Sequence, residues 1–206
     1  MRASLWLDWL YWKFLFMLSQ RHRVRGLLVR HLATTEPESD LEIPKLLAAL
    51  HLIADRDPIR FARLSRDLRG VAIAGASGNL AQYHHSVRCC VLSHDYLRDE
   101  TTTPSDVAAT IVHEATHARL MLAGFGYEPA IRERIEHICF KAEIAFAERL
   151  PDASEIVSRV ERQLARDPSI WTDAERRKRT VAWMRQLGAP EWLTRHLDKA
   201  RTITGA

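Results

Sequence analysis

Residues 110–120 read TIVHEATHARL, so His113 and His117 stand four apart with Glu114 directly after the first. On a helix, positions i and i+4 share a face, and both imidazoles reach one metal ion. Glu114 then flanks that ion, where a general base takes a proton from water. The chemistry is metal-assisted hydrolysis, and Zn2+ is the ion expected. On a strand the same spacing carries no such meaning, so the reading needs a helix.

The flanking residues supply one. TTTPSD precedes the motif: Thr103 suits an N-cap, Pro104 the first helical position, and Asp106 the acid of a capping box. Val107, Ile111, Val112, Ala115 and Leu122 recur at helical spacing. Gly124 is a stop. A helix is expected from about Pro104 to Ala123, with both histidines in its middle.

Two histidines alone hold zinc poorly, and a catalytic site wants a third protein ligand plus an open position. HARLMLA after the motif supplies neither a glycine nor another histidine, and no aspartate occurs between Glu114 and Leu150. Glu128, Glu133, Glu136 and Glu143 remain. A second helix is expected from near Pro129 to about Leu150. Ile131, Ile135, Ile138, Ala142 and Phe146 share one face of it, and Phe140, Ile144 and Ala147 form another apolar patch. Glu136 and Glu143 are seven apart, in one line between the two patches. Carboxylates buried there need partners, and a metal with its histidines would serve. Glu133, on the other side of Phe140, fits less well.

HExxH on one helix with a glutamate on the next resembles the gluzincin group of zinc metallopeptidases, in a minimal, compact form. Glu136 lies nineteen residues after His117, matching the group's common short spacing. The resemblance covers about residues 104–148. It implies His113, His117 and Glu136 as metal ligands and Glu114 as the catalytic general base. Where the group often has an aspartate four residues after the ligand glutamate, this chain has Phe140. Glu143 is then the candidate to orient a ligand histidine. The group also places a substrate-bearing strand before the motif helix, and RCCVL at 88–92 is similar in place. Tyr127, Tyr83, His84, His85 and Arg132 are candidates to stabilise a tetrahedral oxyanion, each with a plain structural role as the competing reading.

These elements sit in a chain of 206 residues, 47% hydrophobic and 27% charged, with a net charge of +4 and a pI near 9.2. That suits one globular domain, with or without an appendage. The basic balance is mild, and no Lys/Arg run with interleaved aromatics lies near the site, which argues against nucleic acid as a partner. Cys89, Cys90 and Cys139 are odd in number and lack C-x-x-C spacing. They form no disulfide framework and no cysteine zinc site, and point to a reducing, cytoplasmic setting.

Residues 5–18, LWLDWLYWKFLFML, are apolar on every side except for Asp8 and Lys13. The run is too short to span a bilayer comfortably, which takes about 20 residues, and has no cleavage site after it. Trp6, Trp9 and Trp12 with the basic RHRVR at 21–25 suit a membrane surface. The alternatives are a helix packed on the domain or on a second copy. Residues 1–32 are accordingly read as an apolar N-terminal segment and 33–206 as the zincin-like domain with C-terminal helices. Within it, 33–44 reads as a polar linker, 44–55 and 58–69 as helices, 71–92 as two or three strands, and 152–203 as two or three further helices.

The expected fold is α+β and mostly helical, a small sheet followed by the HExxH helix and the helix of the third-ligand glutamate. The expected function is a zinc metallopeptidase acting on a peptide or protein. The alternative is a non-catalytic membrane-associated or helical interaction protein, with a zinc-binding or chance motif.

Overall fold

Among the described residues, five short strands make one mixed sheet, and helices cover both of its faces. The computed structural model describes residues 2–32, 39–75, 80–186, 188–192 and 194–195. In chain order the elements are α1 (Arg2–Leu18), β1 (Gln20–Val24), β2 (Leu27–His31), α2 (Ser39–Arg56), α3 (Pro58–Asp67), β3 (Gly70–Ile73), β4 (Ala81–His84), β5 (Cys89–Leu92) and α4 (His94–Arg98). Then come α5 (Pro104–Leu122), α6 (Arg132–Ala147), α7 (Ala153–Leu164), a 3-10 turn (Pro168–Trp171) and α8 (Asp173–Gln186). The fold is thus α+β and mostly helical. The linker expected at 33–44 falls partly on 33–38, and the helices expected up to 203 run into 196–203; both stretches lie outside the described residues.

The sheet order is β1-β2-β3-β5-β4, with β2, β3 and β5 parallel and the two outer strands antiparallel to their neighbours. The central strands GVAI and CCVL are buried throughout, as an interior strand covered on both faces must be. Their side chains alternate. Val71, Ile73, Cys90 and Leu92 join the main core with Leu46, Leu50 and Ile53 of α2, Val107 and Ile111 of α5, and Phe146 of α6. Ala72, Cys89 and Val91 face the other way, onto Trp12 and Phe16 of α1. Gly70 is required by close approach, because a Cβ there would sit 2.6 Å from the Leu28 carbonyl oxygen of β2.

The hairpin β1–β2 was not expected, because RHRVR reads as a basic flank. Its signal is the two-residue turn Arg25-Gly26, with φ of 46° and 91°, the left-handed pair that a tight hairpin favours. Arg25 is held there by Asp55 at 2.5 Å. Residues 2–32 therefore hold one helix and two strands, and β2 is an integral member of the sheet. Helix α2 begins at Ser39, with Pro44 inside it, whereas a polar linker was expected up to 44 and the helix only from there. Tertiary bonds to Glu42, described below, secure that first turn against the proline's lost hydrogen bond.

Candidate metal centre

Helix α5 forms where its caps and apolar spacing place it. The Thr103 side chain accepts from the Asp106 N–H at 3.1 Å, and Asp106 accepts from the Thr103 N–H at 3.0 Å, a reciprocal capping box. Val107, Ile111 and Val112 are buried, while Leu122 at the far end is exposed. Gly124 ends the helix with φ of 89°. This sets His113 and Glu114 in the interior and His117 half-buried one turn on.

Helix α6 packs against α5 and buries Glu136 and Glu143. Ile138, assigned above to an apolar face, is exposed, and Cys139 beside it is buried instead. His113 Nε2 and His117 Nε2 lie 3.2 Å apart. Glu136 approaches them at 3.3 Å (Oε2 to His113 Nε2) and 3.6 Å (Oε1 to His117 Nε2). A tetrahedral zinc with ligands about 2.0–2.1 Å away holds them roughly 3.3 Å apart. Two ring nitrogens and a carboxylate so spaced are a donor set that fits this ion. Glu128 and Glu133 are exposed on the surface.

Cys139 offers a rival third donor, since its Sγ and the two histidines have ligand atoms all within 4.8 Å. The Glu136 carboxylate lies 3.3 and 3.6 Å from the two ring nitrogens and is already charged. Burial, reinforced by Glu136, Glu114 and Glu143, pushes the Cys139 thiol far above its usual range and keeps it protonated. As a donor to a divalent ion, a charged carboxylate is better suited than a protonated thiol.

Charge explains how the cluster holds together. Burial alone would lower His113, but hydrogen bonds to Glu136 and Glu143 outweigh it and raise its pKa from 6.5 to about 10. Burial likewise disfavours the Glu136 carboxylate, and the two histidines overcome this and hold it well below its ordinary value. His113 as imidazolium donates from Nε2 to Glu136 and from Nδ1 to Glu143, the latter at 3.0 Å. Arg159 of α7 donates to the other Glu143 oxygen at 3.3 Å and also binds Asp106. One arginine thereby joins the capping box of α5 to the carboxylate behind His113. It was missed in sequence because nothing in its local spacing relates it to the motif.

Glu114 Oε2 accepts the Tyr83 backbone N–H at 2.7 Å, so strand β4 fixes this side chain. β4 is the sheet edge beside α5, whereas RCCVL, the strand expected to carry a substrate, is interior with both backbone edges paired. A cavity of about 570 Å3 opens over the cluster, with Tyr83, His85, Glu114, Tyr127, Phe140 and Trp171 among its walls. The Tyr127 hydroxyl donates to Glu136 Oε1, and its ring meets His117 edge-on at 5.4 Å. Burial raises the Tyr83 phenol above its ordinary pKa. Of the other oxyanion candidates, His85 lines the cavity, while His84 packs against Trp12 at 4.5 Å. Arg132 is buried, bonded to the Trp171 carbonyl at 2.7 Å and Asp173 at 2.8 Å, with its guanidinium over the Tyr127 ring. Phe140, in the place of the group's aspartate, meets His113 edge-on at 4.7 Å.

A second histidine–carboxylate group is built from residues on β2, α2 and α4. The fully buried Glu42 binds His31 Nε2 at 2.8 Å, His94 Nδ1 at 2.9 Å and Arg98 Nε at 2.6 Å. His31, Glu42 and His94 bring their ligand atoms close enough to hold a metal ion, but here the carboxylate bonds both rings and also accepts from Arg98. As placed, the group ties β2, α2 and α4 together, and it was not anticipated from sequence. Cys89, Cys90 and Cys139 are free thiols, all buried.

No protein-family model matches this chain, and neither a curated protein nor a solved structure does.

Proposed function

We propose that this chain is a zinc-dependent peptidase of gluzincin type, with the zincin-like arrangement of sheet, motif helix and third-ligand helix. The observation that carries the reading is the convergence of His113 Nε2, His117 Nε2 and the Glu136 carboxylate at 3.2, 3.3 and 3.6 Å. Zinc held there supplies Lewis acidity, which acidifies water and polarises a carbonyl.

The chain's own groups do the remaining work. Glu114 is anchored through Oε2 by the Tyr83 N–H, which leaves Oε1 to accept the proton of the attacking water and return it to the leaving amine. Glu143 orients His113 from behind, and Arg159 steadies Glu143. Among the described residues no strand pairs with the outer edge of β4, so an extended peptide can add there, at Ala81 and the Tyr83 carbonyl. Tyr127 and His85 line the cavity and are the candidate donors to a developing oxyanion, Tyr127 once its hydroxyl turns from Glu136.

The Tyr83–Glu114 bond favours one other reading. Glu114 then serves to tie α5 to β4, and the protein is a non-catalytic zinc-binding or interaction module. A peptide-library cleavage assay decides between them. Wild-type protein loaded with zinc should cleave, and Glu114→Gln, which keeps an acceptor oxygen for Tyr83, should keep zinc and fold while hydrolysis falls by about 10² to 10⁴. Absence of cleavage by zinc-loaded wild type leaves only the second reading.

A further inference from the structure

Helix α1 has two apolar faces, and the sheet covers one. Trp9, Trp12, Leu15 and Phe16 pack onto Ala72, Val87, Cys89 and Val91. On the other side Trp6, Leu10, Phe14 and Met17 form a stripe at i, i+4, i+8 and i+11, with Tyr11 and Leu18 along its margin. Their exposures are 60% for Trp6, 45% for Leu10, 61% for Phe14 and 74% for Met17. Contiguous apolar surface of this kind marks a docking face.

We propose that α1 lies flat on an anionic membrane surface, docked through this outward stripe. The charges around it favour that occupant. Lys13 borders the stripe, with its ammonium 5.3 Å over the Trp9 ring. The exposed Arg21 and Arg23 follow directly on β1. Asp8 is the sole acid within α1 and β1, and it is drawn to the sheet side by the Ser86 hydroxyl at 2.5 Å. Apolar, Trp- and Tyr-bearing and rimmed by cations, the stripe matches the headgroup–acyl boundary of a bilayer with anionic lipid.

A symmetric contact with a second copy is less suited, because it sets the cationic rims of both copies together with no acid between them. Spanning is a separate matter: among the described residues no helix is long and apolar enough to cross a membrane. α1 and α5 lie on opposite faces of the sheet, so docking leaves the motif helix on the side away from the lipid. The proposal is independent of the metal chemistry.

The test uses the full chain, vesicles of phosphatidylcholine alone, and vesicles of phosphatidylcholine mixed with phosphatidylglycerol. Co-sedimentation is read beside light-scattering mass and circular dichroism. Wild type should sediment with the mixed vesicles and far less with phosphatidylcholine alone. Leu10→Glu/Phe14→Glu, at exposed positions, should lower partitioning by about tenfold or more. Arg21→Glu/Arg23→Glu should remove the preference for anionic lipid, and it decides the matter if the first variant fails to fold. Three results overturn the proposal: no sedimentation of wild type with mixed vesicles, undiminished binding by variants that fold, or a wild-type dimer that Leu10→Glu/Phe14→Glu dissociates. The last identifies a second copy as the occupant.

Discussion

Glu143 Oε2 lies 3.0 Å from Nδ1 of His113, on the side of the ring away from Glu136. The two residues sit on different helices, and the bond fixes which nitrogen of His113 faces His117. Such a carboxylate behind a ligand histidine orients the ring and raises its basicity. Glu143→Gln should lower zinc affinity by about 10- to 100-fold, measured by competition with a chromogenic chelator. Unchanged affinity would reduce Glu143 to an ion-pair partner of Arg159.

The third ligand is decided by two substitutions on one helix. Glu136→Ala should lose most bound zinc, and Cys139→Ser should retain about one zinc per chain, both measured by elemental analysis of purified protein. His113→Ala and His117→Ala should lose it altogether. Retention in Glu136→Ala with loss in Cys139→Ser reverses the assignment.

The cluster also predicts a pH dependence for chelator-stripped protein. His113 is raised from 6.5 to about 10, so its stabilisation is complete below the lower value and is lost as pH rises through the higher one. Glu136 is depressed from 4.5, so its contribution is complete above that value and fades only as pH falls through the lowered one. Both shifts describe one contact and count once. Stability from it should be greatest between 4.5 and 6.5 and decline toward pH 10, read by urea denaturation across pH. Zinc must displace the His113 proton, so its affinity should move the other way, rising about tenfold per pH unit below the pKa of His113. Affinity independent of pH removes the proton from this site.

Glu42 predicts stability without metal. Its carboxylate is fully buried and joins His31, His94 and Arg98. Glu42→Ala removes the buried carboxylate that His31, His94 and Arg98 share and should cost about 3–5 kcal/mol in chemical denaturation. The loss should be the same with and without a chelator. A chelator-dependent loss would make this group a second metal site.

Much of the site could be read along the chain because its parts are local. The capping box of Thr103 and Asp106, the helical spacing of His113 and His117, and the line from Glu136 to Glu143 are all set by residues within a few turns of each other. A buried carboxylate between two apolar patches is legible because helical periodicity is fixed by backbone geometry. The same local reasoning led to two or three strands over 71–92, and three lie between 70 and 92. It failed for Ile138, which faces solvent, because periodicity assigns a residue to a sector and packing decides how wide the buried sector is.

Only the tertiary structure decided the pairings between distant segments. Arg159 meets Glu143 and Asp106, Tyr83 meets Glu114, and Glu42 gathers two histidines and an arginine across β2, α2 and α4. None of these leaves a periodic trace, since each is a single polar contact chosen by where two elements happen to cross. The sheet order likewise put β4, not β5, at the edge beside the motif, because burial of an apolar run on both faces draws it to the middle. For α1, the residues showed apolar character on every side. Which half is covered by protein was set by the sheet face left bare by α2 and α5.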